Sequence, residues 1–170
     1  MDITQLILDD HAVQRRLFAM ISEIDPMEVG VLNALWQRLS GLLDTHAEAE
    51  ERFLYPPLLK VGTGGGDADS AAEETEDAIK DHNEIRDAGK AVDKFAVGTE
   101  EWFAAIDEAS KANSDHLAEE ERQGLPDFRK NSDLKTRHRQ ALLFAEFSAN
   151  NLLGVKPVDK DPKAYVEAHS

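Results

Sequence analysis

Cysteine is absent from this 170-residue chain. That absence excludes disulfides, iron–sulfur clusters, thiolate zinc sites and cysteine nucleophiles together, and it fits a reducing compartment. No apolar run approaches the roughly 18 residues that a membrane span requires. The start, MDITQLILDDHAVQRR, lacks a basic head, a long apolar stretch and a small-residue cleavage site. The expectation is therefore a cytoplasmic chain without a signal peptide and without a membrane partner. Basic residues are few as well, 19 against 34 acidic, for a net charge of −15. Such a surface repels phosphate backbones, which speaks against nucleic-acid partners, and its first consequence is solubility. No stretch alternates with a strand period.

What is present is helical periodicity, in a length that fits one domain with its own core. A first helix is predicted from about Ile3 to Ile24, with Ile3, Ile7, His11, Gln14, Phe18 and Ile21 on one stripe and Asp25-Pro26 at its end. A second runs from about Met27 to Leu54, with Leu32, Leu35, Leu39, Leu42, Leu43 and His46 on one side. Pro56-Pro57 is expected to stop it, because proline lacks the amide donor and crowds the preceding turn. The stretch GTGGGDADS over 62–70 has no strand before it and no GK[ST] after it, so it reads as a flexible connection rather than a phosphate cradle. A third helix, from about Ser70 to Phe95, turns Thr75, Ile79, His82 and Val92 inward. Thr99 opens a fourth, from about Glu100 to Arg122, striped by Trp102, Ile106, Ala109, Asn113 and His116 and ended by Gly124 and Pro126. A fifth, from about Asp133 to Leu152, carries Leu134, Ala141, Leu142, Ala145 and Leu152. Short connections favour antiparallel neighbours. The expected fold is all-α: an up-down-up-down four-helix bundle with an additional C-terminal helix, forming one domain over about 1–153. A polar tail, about 154–170, wraps the surface or is disordered.

Two halves of the chain repeat each other. The first holds Asp10-His11, then His46 and Glu50-Glu51-Arg52, then Pro56; the second holds Asp81-His82, then His116 and Glu120-Glu121-Arg122, then Pro126. Residues four apart share a helix face, so His46 and Glu50 point one way, as do His116 and Glu120. Each of the four histidines lies on its helix's apolar stripe, so four helices each aim one histidine at the bundle axis. Burying two carboxylates without a counter-charge costs several kcal/mol each, and Arg86 is the one basic residue on the right face. A pair of metal ions supplies the missing positive charge, and histidine with carboxylate in a helical bundle suits iron or manganese.

Isolated histidines alternating with His-x-x-x-Glu helices, over about residues 3–126, resemble the hemerythrin-like, HHE cation-binding family. That resemblance implies a four-helix bundle around two iron ions with an oxo or hydroxo bridge. It implies His11, His46, His82 and His116 as terminal ligands and Glu50 and Glu120 as bridging carboxylates. Oxygen-carrying members have His-x-x-x-His on the third helix, where this chain has Arg86. They have His-x-x-x-x-Asp on the fourth, where Glu120 lies four residues on and Glu121 five, leaving Glu120 or Glu121 as the bridge. Tyr55 is a candidate for the seventh ligand. On a regular helix it would point about 140° from Glu50, so only the proline break could bring it in. His138 is a weaker candidate, and His169 reads as solvated. Asp10, Asp81 and Asp115 are candidates to hold the outer histidine nitrogens or else solvated charges. Arg86 reads either as a group at the pocket's edge or as a surface arginine paired with Glu84 or Asp87.

An incompletely coordinated pair implies handling of peroxide or diatomic gases as small-molecule ligands. The leading expectation is catalase-like or nitric oxide detoxification chemistry, and the alternative is reversible oxygen binding or sensing.

Overall fold

The computed structural model describes residues 1–66 and 68–170. Every regular element among them is a helix: α1 Ile3–Glu23, α2 Val29–Phe53, α3 Tyr55–Val61, α4 Ala71–Val92, α5 Glu100–Arg122, α6 Gly124–Asn131, α7 Leu134–Asn150 and α8 Pro162–His169. Helix starts are written in the sequence as oxygen-bearing caps. Asp2, Ser70, Thr99 and Asp133 each accept a first-turn amide, from Thr4, Glu73, Trp102 and Thr136.

The long helices α1, α2, α4 and α5 form the four-helix bundle, each packed on the next and α5 closing on α1. The predicted stripe of α1 is buried throughout, and so are the stripe positions named for α5. Two apolar clusters fill the interior. One gathers Ile3, Ile7, Leu54, Tyr55, Ile79, Leu125 and Phe128. The other gathers Leu17, Ile21, Leu32, Trp36, Leu39, Val92, Trp102 and Ile106. The four histidines fall between them along each helix, so a polar layer is clamped between two dry ones.

Two expectations are corrected. Pro56-Pro57 does not end helical structure. The chain breaks at Leu54 (φ −101°, ψ −58°) and restarts as α3, with both prolines in the first turn, where amide donors have no intrahelical partner. The second half repeats this: α5 ends at Arg122, Gln123 breaks the line, and α6 holds Pro126 in its first turn. The expected stripe of the C-terminal helix is also out of phase. Of the expected residues Ala141 is buried, but Leu134, Leu142 and Leu152 are exposed, and Phe144 joins Ala141 on the buried face against α1 and α2. Of the two alternatives for the polar tail, the structure shows the one that wraps the surface. A close turn sets it, since a Cβ on Gly41 would lie 3.0 Å from the Leu153 carbonyl oxygen. The tail then crosses α4 and ends as α8, capped by Asp161, with Tyr165 and Val166 buried.

Candidate metal centre

The inner layer contains two groups of three donor atoms, His11 with His46 and Glu50, and Glu50 with His82 and His116, each within 4.8 Å of one another. Glu50 belongs to both. Its Oε1 lies 2.9 Å from His46 Nε2 and 3.8 Å from His11 Nε2, while Oε2 lies 3.3 Å from His82 Nε2. Glu120 Oε2 lies 3.3 Å from His11 Nε2, and the Nε2 atoms of His82 and His116 face each other at 3.1 Å. Among the described residues, His11 Nε2, His46 Nε2, both Glu50 oxygens and Glu120 Oε2 are buried without a hydrogen-bond partner. Polar atoms that converge in an apolar core and remain unpaired are costly unless something else binds them. The donor set fits two transition-metal ions sharing a carboxylate.

The outer nitrogens are all taken by carboxylates. His46 Nδ1 meets Asp10 at 3.2 Å, His82 Nδ1 meets Glu51 at 2.8 Å, His116 Nδ1 meets Asp81 at 3.4 Å, and His11 Nδ1 meets Glu121 at 2.9 Å. The pattern is cyclic: α1 braces the histidine of α2, α2 that of α4, α4 that of α5, and α5 that of α1. A carboxylate on Nδ1 turns Nε2 inward and raises its basicity as a ligand.

Charge follows the same logic. Burial alone would lower the histidine pKa values, but the Glu120 and Glu50 carboxylates beside it lift His11 to about 9. For His46 the charge of Glu50 and the Asp10 carboxylate overcome burial and lift it to about 10; for His82, the neighbouring Glu50 and Glu51 carboxylates lift it to about 9. Glu50 is held well below the usual carboxylate range, because the His46 charge and the surrounding histidines outweigh its own burial. Without metal, then, histidine protons neutralise the buried carboxylates, and a metal ion entering must displace them.

A family model described as the hemerythrin HHE cation-binding domain matches residues 2–127, which carry all of these groups. The chain belongs to the hemerythrin family. Comparisons with curated proteins and with solved structures return no match.

The remaining residues named from the sequence divide around this hemerythrin site. Tyr55 is at it: the break at Leu54 swings the ring inward, 1 % exposed, and its hydroxyl donates to Glu120 Oε1 at 2.9 Å. Burial and the Glu120 and Glu50 charges hold its pKa well above 10. Glu121 braces His11 rather than facing inward, which leaves Glu120 as the inner carboxylate. Asp10 and Asp81 brace histidines, while Asp115 is exposed. His138 lies outside the bundle against the Met1 amine, and His169 contacts the Tyr165 carbonyl. Arg86 is buried and donates to Glu51 at 2.8 Å and Asn83 at 3.3 Å, so it pairs with neither Glu84 nor Asp87.

Sequence reasoning missed Glu51 and Glu121 as braces, and a tail residue with them. Lys160 bonds Glu51 Oε2, and the Tyr165 hydroxyl donates to the Glu51 carbonyl. The signal was present in part. Arg15 stands four residues after His11 as Arg86 stands four after His82, and Arg15 bonds Glu121 at 2.8 Å just as Arg86 bonds Glu51. The repeated unit is Asp-His-x-x-x-Arg followed by His-x-x-x-Glu-Glu-Arg.

Proposed function

We propose that the chain is a non-haem di-iron protein that handles peroxide or diatomic gases, with catalase-like removal of hydrogen peroxide, or of nitric oxide, as its activity. The carrying observation is the layer of inward nitrogens and carboxylate oxygens without partners between two apolar clusters. In this reading His11 and His46 hold one iron, His82 and His116 the other, Glu50 and Glu120 are the shared carboxylates, and Tyr55 is the seventh ligand. When bound, such a pair supplies a two-electron redox change and coordination positions open to small oxygen or nitrogen ligands.

The protein's own part supports a small ligand. A cavity of about 20 Å³ touches Tyr55, His116 and Glu120; room for about one water molecule favours small ligands over bulky organic substrates. The Tyr55 hydroxyl holds Glu120 at its wall, and carboxylates behind the histidines hold the rings in place. Arg86 supports turnover over reversible oxygen storage. It occupies the place of a further histidine ligand, is always protonated, and is engaged by Glu51.

The test begins with iron content, expected near two per chain. Oxygen evolution from peroxide (2 H2O2 → 2 H2O + O2) is then compared with metal-free protein and with free iron at equal concentration, and nitric oxide consumption is measured alongside. Activity no greater than free iron in both assays, together with reversible oxygen uptake by the reduced protein, overturns this reading in favour of oxygen carriage or sensing. A cytoplasmic location is part of the same proposal, and cell fractionation tests it.

A further inference from the structure

The small cavity beside Tyr55, His116 and Glu120 is lined further out by Ala78, Asp81, Glu74, Asp77 and Glu119. Asp77 is exposed, Asp81 half-buried and Glu74 buried at 7 %. Spacings of three and four residues set Glu74, Asp77, Ala78 and Asp81 on one face of α4. Small Ala78 stands among them at the wall of the cavity that Glu120 also lines.

Glu74 has no role in the site described above. Its Oε1 accepts the Gly65 amide at 2.7 Å, and among the described residues its Oε2 is buried with no hydrogen-bond partner. The glycine-rich loop is what holds it there. A Cβ on Gly65 would lie 2.8 Å from the Gln123 carbonyl oxygen and 3.0 Å from Glu74 Oε1. The Thr63 and Gly64 amides bond Asp127 at 2.8 and 3.1 Å, tying the same loop to α6.

We propose that this acidic cavity is the entry route for ferrous iron, and that Glu74 is the last carboxylate the ion meets before Glu120 and His116. The inference rests on the di-iron reading. An unpaired buried carboxylate oxygen is costly, and a passing dication offsets that cost. Burial pushes the Glu74 acid up to about 7, with the Gly65 amide opposing and Asp127 adding to the rise; a cation arriving beside it favours the charged form and opposes that rise. The cavity is too narrow for a hydrated ion, so entry requires exchange of water for carboxylate oxygens, and these are spaced along the wall to receive it. The chain's net charge of −15 concentrates cations at the exposed Asp77 mouth.

The experiment measures how fast metal-free protein withdraws ferrous iron, without oxygen, from the colorimetric chelator ferrozine. Glu74→Gln keeps an acceptor for Gly65 and removes the charge. It is expected to slow uptake by about tenfold while the final content stays at two per chain. Asp77→Asn slows uptake less, and Glu108→Gln, an exposed α5 position with the same change in net charge, leaves it unaltered. Wild-type uptake by Glu74→Gln, or equal slowing by Glu108→Gln, overturns the route. A lower final content in Glu74→Gln overturns it too, by making Glu74 a ligand. A wild-type chain that withdraws no iron overturns the di-iron reading itself, so the two failures are distinct.

Discussion

The two halves of the metal layer share one sequence pattern and differ in what stands behind it. Behind His11, Glu121 is partly exposed and is held by Arg15, whose side chain is 45 % exposed. Behind His82, Glu51 is buried and is held by buried Arg86, by Lys160 from the tail and by the Tyr165 hydroxyl. The inner carboxylates differ too. Glu50 gives one oxygen to each half, whereas Glu120 has one oxygen taken by Tyr55 and the other near His11. A duplicated motif thus sets where the donors stand, and residues without a twin set how firmly each is held. The tail, outside the duplicated segment, stiffens one half alone.

The largest effect expected from breaking this arrangement is at Glu50. Glu50→Ala removes the carboxylate whose oxygens belong to both donor groups and should abolish binding of both ions. His46→Ala and Glu120→Ala should lower iron content sharply, with His46→Ala leaving a residue of binding at His82 and His116. Elemental analysis of protein reconstituted with iron distinguishes these outcomes. If Glu50→Ala retains one tight ion, Glu50 does not serve both halves.

Next in size is the difference between the braces. Glu51→Gln should weaken metal binding about 10- to 100-fold, in the range found when a carboxylate behind a ligand histidine is removed. Glu121→Gln should cost less, because its site is open and water can replace it. Titration with a competing chelator measures both, and equal losses would erase the distinction between the halves. The metal-free protein gives a pH signature. Burial would raise the Glu51 pKa, but His82, Arg86 and Lys160 hold it down at about 2 against an ordinary 4.5. A carboxylate depressed by folding contributes stability that is full above 4.5 and is lost as pH falls through 2. Denaturant unfolding should therefore show Glu51→Gln less stable than wild type at pH 7, with the gap narrowing below pH 4.5. A gap that widens on acidification would contradict that assignment.

Smaller again is the contribution of the tail. Lys160→Met removes one of three groups on Glu51 and should cost a few-fold in metal affinity, with the His11 half untouched, since Arg86 remains in place. Arg15→Met should cost still less, because exposed ion pairs contribute little.

The inward convergence of the four histidines was legible because burial, a 3.6 period and duplication all point at the same positions. The bundle was legible for the same reason, each long helix carrying its own stripe. The tail was not, because α8 buries only Tyr165 and Val166 and its anchor is a lysine, residues that read as solvent-facing in isolation. The braces were hidden by the same ambiguity: Glu51 and Glu121 stand next to inner glutamates, and no periodicity separates a carboxylate behind a histidine from a solvated one. The Arg15 and Arg86 twins carried that information, since a basic residue repeated four positions after a buried histidine calls for an acid nearby. The phase of α7 was misjudged because its alanines and leucines mark several faces, and only contact with α1 and α2 selects the one bearing Phe144.

Tyr55 is where the two halves part most locally, and its removal should change iron content little. The matching residue of the second half is Leu125, also buried, which has no hydroxyl to offer. Without metal the Tyr55 phenol keeps its proton, because burial and the charges of Glu120 and Glu50 all oppose a phenolate. A ferric ion beside it inverts that balance, since a nearby cation favours the anion and phenolate is a strong oxygen donor. As the seventh ligand, Tyr55 should give the ferric protein a visible charge-transfer band. Tyr55→Phe should lose that band while keeping close to two iron ions, because four histidines and two carboxylates remain. Its metal-free form should be less stable by about 1 kcal/mol, with Glu120 Oε1 deprived of a donor. An unchanged visible spectrum, alongside that same stability loss, would return Tyr55 to a hydrogen-bond donor on Glu120 and leave four histidines and two carboxylates to hold both ions.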